Sequence, residues 1–148
     1  MNPLDPHTLF NIFEQGDEQI YEEHGVSDTL ENPFVLMGMV VRGVENYLLM
    51  NTIYNRRYPK EYKKVTRVIK FKYLNKLFSY LLRIEKIKDP DKYKVGTSFN
   101  FDDALGSLGF LLKYYEKIEH YEKCAVIKKY IDKLEDTEQK TLLKKLPN

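Results

Sequence analysis

The sequence predicts an all-α fold: a single domain of about five helices that ends in a C-terminal helical hairpin. Three observations carry that expectation. Apolar residues recur at helical spacing through most of the chain. Prolines and capping residues punctuate it at helix-length intervals, at Asn32-Pro33, Pro59, Asp89-Pro90 and Asn100. No segment has a clear partner strand. With 148 residues, 43% of them hydrophobic and 31% charged, the chain is long enough for one domain with a real core.

The first element runs from Asn2 to Gly25 and turns helical from about His7. Leu9, Phe10, Ile12, Phe13, Ile20 and Tyr21 supply its apolar stripe, Asp17, Glu18, Glu22 and Glu23 its acidic face, and Gly25 its end. Residues 1–31 thus read as an acidic arm. Asn32 then acts as N-cap with Pro33 in the first helical position, opening a helix to about Arg57. Phe34 to Val44 is apolar nearly all round, the mark of a central buried helix. Gly38 and Gly43 each cost about 1 kcal/mol of helix propensity there, and could serve close approach of a neighbouring helix.

Pro59 breaks that run and starts the next helix, Lys60 to Lys88. Within it, RVIKFKYL places Ile69, Phe71 and Tyr73 at period two, so a short strand is the alternative there. The following LNKLFSYLLRIEKI is helical in pattern and favours helix throughout. Asp89-Pro90 stops it, since the residue before proline is pushed out of the helical region. Residues 91–99 read as a loop. Asn100 or Ser98 caps the next helix, which carries Asp102 and Asp103 in its first turn and ends near Glu119. A further helix runs from Tyr121 to about Glu135, with a short one over Glu138 to Lys145. The expected core is Phe34–Tyr54 packed against Val65–Ile87 and the C-terminal hairpin over 98–137.

Charge is segregated along the chain. Residues 1–55 carry nine acids against Arg42, a balance of −8, and residues 89–148 carry eleven charges of each sign. Between them, Arg56 to Lys88 holds twelve Lys and Arg against Glu61 and Glu85, a local balance of +10. The net charge of +2 conceals this polarity. Twelve Tyr, eight Phe and no Trp suit a thin core with amphipathic edges, or a contact surface.

Cys124 is the only cysteine, which excludes an intrachain disulfide and fits a reducing compartment. The N-terminus lacks a signal-peptide pattern, and the longest apolar stretch, Phe34 to Val41, is far short of the ~20 residues a membrane span needs. The expectation is a soluble, cytoplasmic protein with no membrane contact.

No catalytic or nucleotide-binding motif is present: no P-loop, no GxGxxG after a strand, no HExxH and no CxxC. The expectation is therefore a protein that is not an enzyme and needs no cofactor. His120 and Cys124, spaced i, i+4, could face one ion, but structural zinc wants four ligands and the second pair is missing. Cys124 reads instead as a small buried hydrophobe.

The basic segment has three readings. It is a solvated face of an amphipathic helix, whose Lys and Arg stems lie over apolar surface. It is a phosphate-contacting surface for nucleic acid, with Tyr58, Tyr62 and Tyr73 for stacking. Or it meets an acidic protein surface, including this chain's own N-terminal third. The candidate binding residues are Arg56, Arg57, Lys60, Lys63, Lys64, Arg67, Lys70, Lys72 and Lys76, with Tyr58 and Tyr62.

Over Leu111 to Glu135, LLKYYEKIEHYEKCAVIKKYIDKLE resembles the short UVR motif of bacterial excinuclease subunits and some bacterial stress regulators. The matching core is Tyr121-Glu122-Lys123-Cys124-Ala125, then Ile127, Ile131, Leu134 and Glu135, with Tyr115 and Ile118 where the motif's first helix packs. Cys124, Val126 and Tyr130 depart from its usual residues. The resemblance covers about a sixth of the chain and implies a helical hairpin for protein–protein contact, without catalytic residues. From the residues alone, Ala125 is the small residue that would let two helices cross closely.

The functional expectation is a non-enzymatic adaptor or regulatory protein that docks on a protein partner through a basic, Tyr-rich helical surface. Its small size, Tyr content and lack of a reaction centre suit a phage or mobile-element accessory protein. The alternatives are a largely sequence-independent nucleic-acid binder and a structural subunit of a larger assembly.

Overall fold

The computed structural model describes residues 32–87 and 100–145, with side chains through residue 139. The expected helix within Asn2–Gly25, the Asp89-Pro90 stop and the loop over 91–99 lie outside the described residues. Those described hold four helices and no strand: α1 (Pro33–Arg57), α2 (Pro59–Glu85), α3 (Phe101–Lys117) and α4 (Tyr121–Lys145). The chain divides after Ser98 into two compact units, α1 and α2 belonging to the first and α3 and α4 to the second.

In the first unit, local chemistry sets the helix ends. Asn32 is extended, its Oδ1 accepts from the Phe34 N–H at 2.9 Å, and Pro33 follows in the first turn. α1 closes on Arg56 and Arg57, whose charges complement the carbonyl end of the helix dipole. One residue, Tyr58, then separates it from Pro59 and α2. The Tyr58 N–H donates to the Tyr54 carbonyl at 2.9 Å, and the Tyr58 carbonyl accepts from the Tyr62 N–H at 2.8 Å, so the link leaves neither group unpaired.

α1 and α2 pack on each other. Tyr54 stacks on Tyr62 with ring centroids 5.6 Å apart, and Tyr47 on Tyr73 at 6.0 Å. Gly43 lies against Leu77. Partner positions fall on α1 as they rise on α2, so the two helices run antiparallel. Near its start α1 is buried on every side, from Leu36 through Val41, as its sequence predicts. Tyr47 is the last buried residue of α1; towards the link Asn51 and Tyr54 on the same face are half-buried, while Leu48 and Leu49 are 45% and 59% exposed.

α2 is helical through Arg67–Leu74, so the strand alternative does not hold there. Ile69 and Tyr73, four apart on one helical face, are both buried, while Phe71 between them faces out. The helix ends at Glu85, three residues before the expected Lys88.

In the second unit, the Asn100 side chain caps α3 by accepting from the Asp103 N–H at 2.7 Å, with Asp102 and Asp103 in the first turn. α3 ends in a Schellman motif: the His120 N–H donates to the Tyr115 carbonyl at 2.9 Å and the Glu119 N–H to the Glu116 carbonyl at 3.1 Å. The motif needs a left-handed residue, and Glu119 supplies it at φ 62°. A side chain there pays a steric penalty that glycine avoids. Glu119→Gly should therefore raise stability by about 0.5–1 kcal/mol in urea denaturation; an unchanged or lower midpoint would contradict this account of the turn.

α4 continues unbroken from Tyr121 to Lys145. The separate helices expected over Tyr121–Glu135 and Glu138–Lys145 are one, because nothing at Asp136-Thr137 breaks the backbone. The Thr137 hydroxyl donates to the Lys133 carbonyl at 2.9 Å, a bond made within the helix. α3 and α4 pack on each other through Leu108, Leu111, Tyr115, Cys124, Ile127 and Tyr130, all buried. Ala125, expected at a tight helix crossing, is exposed instead. Its neighbour Cys124 takes the inward position, one residue out of phase.

Candidate docking surface on the first helix pair

Helical phase sorts the sequence candidates into distinct groups. At about 100° per residue, Tyr62, Ile69 and Tyr73 share one direction, towards α1. All three are buried. Tyr62 is therefore a core residue and not part of an outer surface; its hydroxyl donates to Asn51 Oδ1 at 3.0 Å, and burial raises its pKa. Tyr73 is likewise unavailable for stacking on a nucleic-acid base, since its ring lies on Tyr47. Tyr58, at the link, keeps 36% of its surface exposed.

Lys60, Lys64, Arg67 and Phe71 lie within roughly 40° of the direction opposite Tyr62. They form one outward stripe about 16 Å long at 1.5 Å per residue. The three basic residues are exposed. Val68 and Phe71, 44% and 43% exposed, continue the stripe as apolar surface. Lys63, exposed, and Lys70, half-buried, adjoin it on one side. Lys72 and Lys76 fall on the other flank of α2, with Lys76 half-buried, so they do not share the stripe. Arg56 and Arg57 are exposed at the end of α1, beside Tyr58 and Lys60 in the chain.

Lys60, Lys63, Lys64 and Arg67 make no ion pair among the described residues. Glu61 is the one acid in the first turn of α2. By phase it lies on the flank of α2, about 100° from Lys60. Four cations close together without a carboxylate between them create a positive field over that end of the helix pair. Sequence reasoning named the basic residues but passed over Val68 and Phe71 as parts of the surface. Phe71 was signalled by the i, i+4, i+7, i+11 spacing from Lys60, and Val68 by its place three residues before Phe71 on the adjoining row of the helix.

The other candidate was His120 with Cys124. The His120 ring stacks on Tyr115 at 6.1 Å, and the Cys124 N–H donates to the His120 carbonyl at 3.2 Å. Cys124 is buried, and burial pushes its thiol pKa up, away from the thiolate that binds metal. Among the described residues no group of three or more His, Cys, Asp or Glu is placed to hold a metal ion. Nor, among them, is any helix long and apolar enough to cross a membrane.

Comparison with protein-family models, with curated proteins and with solved structures finds no match to this chain.

Proposed function

We propose that this protein is a non-enzymatic intracellular adaptor or regulator that docks on another protein through the linked ends of α1 and α2. The observation that carries the proposal is the outward stripe of Lys60, Lys64 and Arg67 running into exposed Val68 and Phe71. A cationic surface beside apolar area suits a protein contact in which charge steers encounter and apolar contact holds the complex. The exposed Tyr121, at 66%, and the UVR-like resemblance of residues 111–135 support a second protein contact on the other unit. A phage or mobile-element accessory role is one setting for such a protein.

A second reading, direct binding to nucleic acid, is favoured by one observation: Tyr58 is exposed beside Arg56, Arg57 and Lys60. Salt separates the two. On duplex DNA, log K falls with log salt by about 0.9 per neutralised phosphate, whereas an interface with an apolar centre is far less sensitive.

The test is a triple variant, Lys60→Glu with Lys64→Glu and Arg67→Glu, assayed against material captured from lysate with and without nuclease. Each exposed charge contributes up to about 1 kcal/mol, so a protein partner that survives nuclease should bind the variant about tenfold more weakly. Circular dichroism should not change, since all three side chains are exposed. A nuclease-resistant partner held equally well by the variant would place the interface elsewhere. Loss of every partner on nuclease treatment would favour the nucleic-acid reading.

A further inference from the structure

We infer that the segment received by α2 is acidic and carries a large apolar side chain set about 10 Å from its carboxylates. This rests on the docking reading above and specifies its partner. The spacing comes from the stripe itself. Lys60, Lys64 and Arg67 occupy its first two turns, and Phe71 with Val68 its third. Lys64, the middle of the three cations, stands seven residues from Phe71, about 10 Å along the helix axis, with Arg67 about 6 Å and Lys60 about 16 Å from it.

A ligand that matched only the cations would leave the exposed parts of Val68 and Phe71, 44% and 43% of their surface, uncovered. Covering them adds apolar burial to charge pairing. Complementary charge alone gives speed and orientation of encounter, while the apolar contact slows release. On a partner helix the required spacing is two turns, i to i+7. On an extended partner it is three residues. Single-stranded nucleic acid fits less well: Phe71 could stack on a base, but the branched aliphatic Val68 beside it offers no ring.

Fluorescence anisotropy of the full chain with three labelled probes of matched charge tests this: poly-Glu, a Glu–Tyr copolymer and oligo-dT. The copolymer should bind about tenfold more tightly than poly-Glu, the effect of covering one large apolar side chain. Phe71→Ser and, separately, Val68→Ser should shrink that difference without changing helix content. Lys64→Glu with Arg67→Glu should weaken both polymers. Equal affinity for the two polymers would overturn the apolar part of the inference and leave the basic docking surface standing. Binding to oligo-dT as tight as to the copolymer, or binding to none of the three probes, would overturn both.

Discussion

Replacing Tyr115 with alanine should cost about 3–5 kcal/mol of stability, the largest loss of any single substitution considered. Tyr115 is fully buried between α3 and α4. Its ring meets Tyr114 edge-on at 5.1 Å, stacks on His120 at 6.1 Å and lies 5.1 Å beneath the Lys123 ammonium. Burial lowers the Lys123 pKa, consistent with an ammonium drawn partly out of water over that ring. Its backbone carbonyl receives the Schellman bond from His120, so side chain and main chain of one residue tie the turn to the helix. Truncation would leave a ring-sized void in a unit whose buried core is small, with few neighbours able to collapse into it. Urea denaturation followed by circular dichroism measures the loss. A cost below about 1 kcal/mol would mean that the ring is not the centre of this packing.

The same residue sets an alkaline limit. Burial, with the neighbouring Tyr114 phenol, holds the Tyr115 pKa well above its ordinary value of 10.0. Below that ordinary value the phenol is protonated in both folded and unfolded states, and its contribution is fully present. As pH rises past it, the unfolded chain ionises first and stability falls until the folded pKa is reached. Tyr115→Phe should flatten that decline at high pH while costing little at neutral pH. An unaltered alkaline slope would assign the titration to another group, with Tyr62 next in line because burial raises it too.

Gly43→Val should destabilise the first helix pair by about 2–3 kcal/mol. A Cβ built at Gly43 lies 3.0 Å from Leu77 Cδ1 and closer still to Cδ2. Leu77 is itself buried, so its side chain has little room to move aside. Gly43→Ala meets the same contact but recovers about 1 kcal/mol of helix propensity, so its net effect should be smaller. Gly106→Ala is the control, since nothing lies within 4 Å of its Cβ position in α3. It should stabilise the protein by up to about 1 kcal/mol. In a double-mutant cycle with Leu77→Ala, the Gly43→Val penalty should shrink by more than about 0.5 kcal/mol. Additive penalties would show that the two positions do not press on each other.

Much of the fold was legible because helix ends are local chemistry. Asn32-Pro33, Pro59 and Asn100 act on backbone groups within a few residues of themselves, and each begins a helix where its side chain or ring demands. The single-helix outcome over 121–145 was less legible. Asp136-Thr137 falls in the gap expected between Glu135 and Glu138, yet a threonine hydroxyl can bond its own helix's carbonyl as readily as cap another.

The candidate surface divided in the same way. The sequence by itself determined where basic charge concentrates and that helices carry it. Only tertiary structure decided which aromatic residues that charge accompanies. Tyr58 and Tyr62 stand four apart among the same lysines and arginines, yet one is exposed and the other buried on Tyr54. The physical reason is phase: a helix presents all its faces equally until a partner covers one. The stacking of Tyr54 and Tyr47 on Tyr62 and Tyr73, with Gly43 opposite Leu77, chose the inward face of α2 and turned Lys60, Lys64, Arg67 and Phe71 outward.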